Sequence, residues 1–343
     1  MKTETIVMHE DRNVTLTAYI QETGGEFGYD RRPAILVIPG GGYAMCSDRE
    51  ADPVALAYSK AGYQSFVLRY TVKGKGGWPH PLNDYEEAME MIRQRSEEWH
   101  VEPEKTAVVG FSAGGHLAAC GATVAEHKPA AAILVYPAIL KEIVDLCQPG
   151  MPYPNEHVSR QTPPCFIAAA RDDRAVNIRN ELMMELALAE NDVPFESHIY
   201  SYGGHGFSTA EENILTASAA PRVQNWVSDS IEWLGEVMGR FTRNGFTEPC
   251  MQISLNSNDL PVLSVMCTLA HMQKQGGDAK AVLAPMFAAI EALAKARGYE
   301  TEALMEAVGT STIRELLEIL QIPEETILSM DAQLHGIVNK LEV

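Results

Sequence analysis

Short runs that contain apolar and β-branched residues recur up to about residue 240, separated by helical patterns and by glycine- or proline-rich turns. The runs predict strands at residues 14–20, 34–38, 65–70, 106–110, 131–136, 165–170 and 196–200. The intervening patterns predict helices at about residues 50–61, 84–99, 113–126, 178–190 and 222–239. Strands that alternate with helices form mostly parallel sheets, and nearly all-apolar strands are typical of sheets covered on both faces. The sequence therefore predicts an α/β fold with a mostly parallel central sheet flanked by helices.

The pattern changes after about residue 245, where only helical spacing continues. It predicts helices at residues 259–275, 278–297, 301–308, 311–320 and 324–340. Thr310 and Ser311 are candidate N-caps ahead of Glu315. We therefore expect an α/β catalytic domain over residues 1–245 and an all-α C-terminal domain over residues 246–343. The apolar helix faces of this second domain predict a self-contained bundle or a homo-oligomer contact, or else a roof over the active site.

Charge and composition limit the partners that such a chain can have. The net charge is −19 at pH 7 and no basic cluster offsets it, which argues against nucleic acid as a partner. No run of eighteen apolar residues is present, and the first residues lack the apolar core of a signal peptide. The six cysteines have no CxxC or Cys/His spacing, so we expect reduced thiols and no metal. The expectation is a cytoplasmic protein that does not bind membranes.

The strongest motif is a Gly-x-Ser-x-Gly sequence that follows the predicted strand at 106–110, and it reads Gly110-Phe111-Ser112-Ala113-Gly114. A serine at a sharp strand-to-helix turn is exposed above the sheet, and flanking glycines let neighbouring backbone pass closely. The helix that follows favours negative charge at its N-terminus. We therefore predict Ser112 as the nucleophile of an acyl transfer. The alternative is a tight turn in which the serine only caps the helix, and His116 is predicted to have a packing or hydrogen-bonding role.

A second motif offers hydrogen-bond donors for the oxyanion that acyl transfer generates. The predicted strand at 34–38 ends in Pro39 followed by three glycines, and three adjacent glycines allow backbone to approach a ligand closely. We predict the amides of Gly41 and Gly42 as donors, together with the amide of Ala113 after the nucleophile. A nucleotide-binding loop is the alternative, but the chain has no GxGxxG motif and no Walker lysine here. No cofactor is predicted.

The acid and the base are expected downstream of the serine, because triads of this kind run Ser, Asp or Glu, then His. The strand at 165–170 leads into Asp172 and Asp173, and the residues alone leave open which of the two acts. The strand at 196–200 is followed by His205 between glycines, which we predict as the general base. A metal site with two histidines and a carboxylate is the alternative, but no HxxxH or HxH spacing supports it.

Residues that line the substrate pocket are predicted from aromatic and rigid segments near these motifs. Tyr43 follows the three glycines, and Trp78 and His80 stand in a Trp-Pro-His-Pro segment that suits stacking on a sugar or packing of an acyl chain. The alternative for this segment is ordinary loop packing. Asp84 is predicted to be the N-cap of the following helix.

Taken together, these motifs resemble the esterase/lipase branch of the α/β-hydrolases, and most of all its carbohydrate and xylan-oligosaccharide acetyl esterases. The resemblance covers about residues 13–240 and lies in the segments Pro39–Tyr43, Gly110–His116, Thr162–Pro164, Asp172–Val176 and Gly203–Phe207. It implies the α/β-hydrolase fold and a triad aspartate three residues before the valine, which is Asp173. Hormone-sensitive-lipase relatives carry histidine where this chain has Pro39, which favours the sugar-esterase side.

The sequence thus leads to the hypothesis of a serine esterase for short-chain carboxylic esters, with acetyl esters of sugars or oligosaccharides as the expected substrates. The expected partner is a small-molecule ester, and the helical C-terminal domain is the candidate for a homo-oligomer contact. Two alternatives stay open: a serine peptidase of the prolyl-oligopeptidase type, and a non-catalytic interaction protein that keeps the α/β-hydrolase fold.

Overall fold

The computed structural model describes residues 1–214, 222–251, 256–258 and 260–340. The chain divides into two compact units, Met1–Ile253 and Ser254–Val343. The first unit contains an eight-stranded sheet with helices, and the described part of the second unit contains helices joined by turns. The predicted fold class, a mostly parallel sheet flanked by helices with a helical C-terminal region, is confirmed. The predicted domain boundary at residue 245 stays a prediction.

The sheet of the first unit has the strand order β1-β2-β4-β3-β5-β6-β7-β8. Its strands are β1 (Lys2–His9), β2 (Val14–Ile20), β3 (Arg32–Ile38), β4 (Gln64–Arg69), β5 (Val101–Phe111), β6 (Ala132–Val135), β7 (Cys165–Ala170) and β8 (Phe195–Tyr200). Strands β1, β2 and β4 pair antiparallel, while every pair from β4 through β3 to β8 is parallel. The carboxyl ends of the parallel strands therefore share one edge of the sheet, where the loops of an active site can meet.

Helices cover both faces of this sheet. They are α1 (Asp52–Lys60), α2 (His80–Gln94), α3 (Ala113–Thr123), α4 (Lys141–Cys147), α5 (Arg179–Glu190) and α6 (Asn225–Met238), and a short hairpin of β9 (Phe241–Thr242) and β10 (Gly245–Phe246) follows. Strand β3 shows how the core is divided, because Leu36 and Ile38 point into one apolar cluster while Ile35 and Val37 point into the other. Helices α2, α3 and α5 pack on the first side, and α1 and α6 on the second.

Helix α2 begins earlier than predicted, and this corrects the role of Asp84. The helix starts at His80 with Pro81 in its first turn, a position that proline favours because the amide there needs no partner within the helix. Asp84 therefore lies inside the helix rather than at its N-cap. Its buried carboxylate accepts hydrogen bonds from the backbone N–H of Thr71 at 2.7 Å, from the hydroxyl of Thr71 at 2.5 Å and from Arg12 at 3.1 Å.

The second unit contains α7 (Leu269–Lys274), α8 (Gly277–Arg297), α9 (Thr301–Ala307), α10 (Ile313–Ile319) and α11 (Glu324–Leu334). Its own apolar cluster includes Leu283 and Met286 of α8 and Leu317 of α10. Two predicted helices are shorter than expected, because Val262 forms an antiparallel bridge with Val338, and extended backbone replaces helix at both places. Residue 259, where the first of them was predicted to begin, lies outside the described residues.

The N-cap of α10 is Thr312, so the predicted caps Thr310 and Ser311 are wrong. The Thr312 hydroxyl accepts from the backbone N–H of Glu315 at 3.2 Å, and the Glu315 carboxylate accepts from the backbone N–H of Thr312 at 2.8 Å. This reciprocal pair is a capping box. Thr312 also bridges Thr268 in an antiparallel pair, which fixes extended backbone up to the start of the helix.

In the described part of the chain, no helix combines the length and the apolar character that crossing a lipid bilayer requires.

Replacement of Thr312 by alanine tests this cap. Thr312→Ala removes one of the two reciprocal hydrogen bonds, so we expect the free energy of unfolding to fall by about 1 kcal/mol. Ser311→Ala is the matched control, because its side chain is not the cap, and we expect it to change stability by less than about 0.5 kcal/mol. Urea unfolding followed by far-ultraviolet circular dichroism measures both. Equal losses in the two variants would contradict the assignment.

Candidate active site

Ser112 lies at an abrupt turn between β5 and α3. Its backbone has φ 52° and ψ −115°, a conformation that a non-glycine residue adopts only at a cost. The flanking glycines are required by space: a Cβ at Gly110 would lie 2.2 Å from the carbonyl oxygen of Gly114, and a Cβ at Gly114 would lie 2.2 Å from that of Ile38. The turn is therefore possible only with glycine at both positions, and it exposes the serine at the carboxyl edge of the sheet.

The hydroxyl of Ser112 meets the imidazole of His205. The distance between Ser112 Oγ and His205 Nε2 is 2.9 Å, and the distance between His205 Nδ1 and Asp173 Oδ2 is 2.6 Å. The carboxylate can only accept, so Nδ1 carries the proton and Nε2 is left to accept from the serine. The side chain of Asp173 is 1% exposed, which strengthens its bond to the imidazole. The three predicted side chains thus form one continuous hydrogen-bonded chain.

The two neighbouring aspartates have different contacts. Asp173 turns one oxygen toward His205, and its other oxygen accepts from the backbone N–H groups of Ala175 and Val176 at 2.8 and 2.9 Å. Asp172 instead accepts from the N–H groups of Gly203 and Gly204, each at 2.9 Å. These two bonds lower the pKa of Asp172. Asp172 therefore holds residues 203–208, which we call the histidine loop, while Asp173 contacts the imidazole itself.

Residues 40–42 follow β3 and form what we call the glycine loop. Gly41 has φ +127° and Gly42 has φ +62°, and a Cβ at Gly41 would lie 2.2 Å from the carbonyl oxygen of Met45. The carbonyl of Gly41 accepts from the N–H groups of Ala44 and Met45, which closes the loop into a tight turn. Gly41, Gly42 and Ala113 line the same cavity as Ser112. Donation of hydrogen bonds from their amides to an oxyanion stays a prediction.

A cavity of about 630 Å³ lies over the serine. Ser112 and His205 line it together with small or apolar side chains and one short charged segment, and these are Met45, Ala138, Ile143, Cys147, Ala175, Val176, Asp48, Arg49 and Glu50. Asp48 pairs with Arg69 at 2.8 Å. In the ranges that the structure describes, no group of three or more His, Cys, Asp or Glu side chains is arranged to hold a metal ion. The cavity has the size of a small-molecule site.

The predicted substrate residues Tyr43, Trp78 and His80 are not among the residues that line this cavity. Tyr43 is only 5% exposed, and its hydroxyl donates to Nδ1 of His116 at 2.7 Å. Nε2 of His116 donates to the carbonyl of Pro152 at 2.8 Å, and burial lowers the pKa of His116 to about 4, so the ring stays neutral. Trp78 packs on the same histidine with 6.0 Å between ring centroids. Tyr43 is turned away from the cavity because its hydroxyl finds a partner behind the glycine loop.

Two residues at the site, Glu50 and Tyr136, were not predicted from the sequence. Glu50 is 3% exposed, and its carboxylate accepts from the N–H of Gly40 and from the hydroxyl of Tyr136, both at 2.8 Å. The Tyr136 ring lies 4.9 Å from the His205 ring, measured between centroids. No motif marks either residue, because a single glutamate at the start of a predicted helix and a tyrosine at a strand end are common features of any α/β sequence.

A further buried carboxylate, in α5, interacts electrostatically with Asp173. Glu181 in α5 is 1% exposed, and neither of its carboxylate oxygens has a hydrogen-bond partner among the described residues. Burial raises the pKa of Glu181 to about 8, and the charge of Asp173 adds to the rise. Near neutral pH this group therefore carries a proton in the folded protein.

The chain is similar to proteins named as a xylanase and as an acetylxylan esterase. The family model described as BD-FAE matches residues 26–146. Endo-1,4-beta-xylanase B of Butyrivibrio fibrisolvens is 30% identical over 54% of this chain and 34% of its own length. The acetylxylan esterase of Xylanibacter ruminicola is 31% identical over 51% of this chain and 41% of its own length. The chain thus spans less than half the length of these two curated relatives.

Among solved structures, MGS-M1 is described as an alpha/beta hydrolase enzyme from a Medee basin deep-sea metagenome library. It is 37% identical to this chain, with a TM-score of 0.65. The similarity covers 69% of this chain and 98% of that chain. Nearly the whole of that enzyme therefore has a counterpart here, and the remainder of this chain has none in it.

The different contacts of the two aspartates predict different kinetic effects. Asp173→Asn leaves an amide against Nδ1 of His205 and disturbs the tautomer, so we expect kcat for p-nitrophenyl acetate to fall by about 10⁴-fold. Asp172→Asn keeps an acceptor oxygen for the histidine loop and should lose no more than about 10-fold. A steady-state assay at matched protein concentration compares them. The reverse order of losses would assign the triad acid to Asp172.

The raised pKa of Glu181 predicts how the free energy of unfolding changes with pH. Its pKa in the folded protein lies above its ordinary value near 4.5, so between these values the unfolded chain releases a proton that the folded chain keeps. Raising the pH from about 5 to 8 therefore destabilises the folded state, by at most about 1.4 kcal/mol per pH unit. Glu181→Gln should lose less stability over this interval in urea unfolding. Glu190→Gln, on the exposed end of the same helix, should behave as wild type, and an unchanged slope in Glu181→Gln would contradict the prediction.

Proposed function

The chain belongs to the α/β-hydrolase family, and on this premise we propose that it is a serine esterase for short-chain carboxylic esters. The observation that carries the proposal is the hydrogen-bonded chain from Ser112 through His205 to Asp173. It opens into a cavity that the glycine loop also lines. A nucleophile, a base, an orienting acid and preplaced amide donors are the parts that acyl transfer needs.

In the proposed reaction, Ser112 Oγ attacks the acyl carbon while its proton moves to Nε2 of His205. The carboxylate of Asp173 stabilises the imidazolium that forms. The negative oxygen of the tetrahedral intermediate accepts hydrogen bonds from backbone amides of the glycine loop and of Ala113. When the intermediate collapses, the bond to the alkoxy oxygen breaks, His205 returns the proton to the departing alcohol, and an acyl-serine remains. Water then hydrolyses the acyl-serine by the same steps with His205 as base.

The proposed substrates are acetyl esters of sugars or oligosaccharides. Small and apolar side chains near the serine, among them Ala138 and Val176, suit a short acyl group. A cavity of about 630 Å³ has room for a sugar-sized alcohol beside it. One of the relatives, at 31% identity, is an acetylxylan esterase, and this supports the choice of acetylated sugar over other esters.

Replacement of the nucleophile tests the reaction class. Ser112→Ala should lower kcat for p-nitrophenyl acetate by at least about 10⁴-fold and abolish labelling by a fluorophosphonate probe, because the attacking oxygen is gone. Ser201→Ala, which changes an exposed serine outside the cavity lining, is the matched control and should keep wild-type activity. If the wild-type protein is neither labelled nor active, the fold serves a non-catalytic interaction instead.

Substrate class is tested by a panel of leaving groups and acyl lengths. We expect the enzyme to release acetate from acetylated xylo-oligosaccharides. It should hydrolyse p-nitrophenyl acetate faster than p-nitrophenyl octanoate. A proline amide should be cleaved far more slowly than either ester. Amide cleavage with little ester turnover would favour a peptidase of the prolyl-oligopeptidase type.

A further inference from the structure

We propose that Glu50 is a positioning residue of the active site. Its buried carboxylate links the glycine loop to the histidine loop and holds both in the arrangement that acyl transfer requires. The inference rests on the proposed esterase function, because it concerns the efficiency of that reaction.

Glu50 is a buried residue that lies shortly after the glycine loop. It ends a short 3₁₀ helix, Asp48–Glu50, that follows the glycine loop and borders the cavity over Ser112. A carboxylate that is almost fully removed from water is costly unless donors satisfy it. Here one oxygen accepts from the backbone N–H of Gly40 and the other from the hydroxyl of Tyr136, each at 2.8 Å. Both oxygens thus have a donor, and the two donors belong to different loops.

One of these contacts leads to the predicted oxyanion site. A Cβ at Gly40 would lie 2.7 Å from Glu50 Oε2 and 3.0 Å from Cβ of Ser112, so the carboxylate and the nucleophile both pack closely against this glycine. The carbonyl of Gly40 accepts from the N–H of Ser47 at 2.9 Å, so both polar groups of Gly40 are held. Fixing this residue also fixes the direction of the next peptide groups, whose amides are the predicted donors.

The other contact leads to the base. The hydroxyl of Tyr136 donates to Glu50 and accepts from the backbone N–H of Ser208 in the histidine loop at 3.1 Å. The hydroxyl of Ser208 donates to the carbonyl of Arg49, so the histidine loop is connected to the segment of Glu50 twice, once directly and once through Tyr136. The ring of Tyr136 packs on the imidazole of His205. The position of the base therefore depends on the same carboxylate as the glycine loop.

Glutamine cannot replace this carboxylate. An amide has one acceptor oxygen, and its NH₂ group would face either the N–H of Gly40 or the hydroxyl of Tyr136. In either orientation a buried donor, the N–H of Gly40 or the O–H of Tyr136, would lose its acceptor, and the loop that carries it would shift. Displacement of catalytic groups by a fraction of an ångström lowers kcat more than substrate binding, because the transition state tolerates misalignment less than the ground state does.

Asp84 provides a matched control. It is also a buried carboxylate in the first unit, and it also accepts from one backbone N–H and one hydroxyl, both of Thr71, with a further hydrogen bond from Arg12. It does not line the cavity over Ser112. Asp84→Asn and Glu50→Gln therefore make the same chemical change in two buried carboxylates, only one of which contacts the catalytic loops.

The experiment compares Glu50→Gln, Tyr136→Phe and Asp84→Asn in the full chain, with kcat expressed per serine titrated by a fluorophosphonate. We expect Glu50→Gln to lose about 100-fold in kcat for p-nitrophenyl acetate with KM changed less than threefold. Tyr136→Phe should lose about 10-fold in kcat. The double variant Glu50→Gln/Tyr136→Phe should lose less than the product of the two single losses, because both substitutions break the same connection. Asp84→Asn should lower the melting temperature but keep kcat within threefold.

The control decides between positioning and simple stabilisation. A kcat per titrated serine in Glu50→Gln within threefold of wild type would overturn the inference, and so would an equal loss in Asp84→Asn. If Glu50→Gln does not fold, Tyr136→Phe carries the test alone, since it removes one hydroxyl, and an unchanged kcat there would overturn the inference. An inactive and unlabelled wild-type protein would instead overturn the proposed function, and the inference with it.

Discussion

The close packing of backbone against backbone around Ser112 is the constraint on which the rest of the site depends. Position 114 lies so near the carbonyls of Ile38 and Pro39 that a methyl group there would meet them at 2.2 and 2.3 Å. This contact brings the start of α3 against the end of β3, and so joins the strand that leads into Ser112 to the strand that leads into the glycine loop. The relative positions of Ser112 and the glycine loop therefore depend on this contact.

Hydrogen bonds to backbone amides, rather than salt bridges, hold the surrounding loops. Asp172 accepts from two amides of the histidine loop, Asp173 accepts from two amides of its own loop, and Glu50 accepts from one amide of the glycine loop. Carboxylates are well suited to this task because each can accept several N–H groups without needing a countercharge. The site is therefore organised by acidic side chains, in keeping with a chain whose net charge is strongly negative.

Local patterns in the sequence were enough to predict most of the fold. Apolar runs placed strands such as 165–170 within a residue of their observed ends, and the Gly-x-Ser-x-Gly motif marked a turn that only those glycines permit. Contacts with residues distant in the sequence determined the features that local patterns did not predict. Tyr43 turned inward because His116 offered its hydroxyl a partner, and Thr312 became a cap because Thr268 pairs beside it. Glu50 had no local signal, because its two donors come from loops after different strands, Gly40 after β3 and Tyr136 after β6.

The glycine loop also shows that three adjacent glycines can be required by different combinations of two constraints, limited space and positive φ. Gly40 lacks room for a side chain, because Glu50, Phe111 and Ser112 surround it. Gly41 lacks both room and an accessible backbone conformation, whereas Gly42 has nothing within 4 Å and only needs a positive φ. Asparagine adopts such a φ at modest cost. Sequence variation across this loop should therefore be uneven, with the last position open to a polar residue that would add its own side chain to the mouth of the cavity.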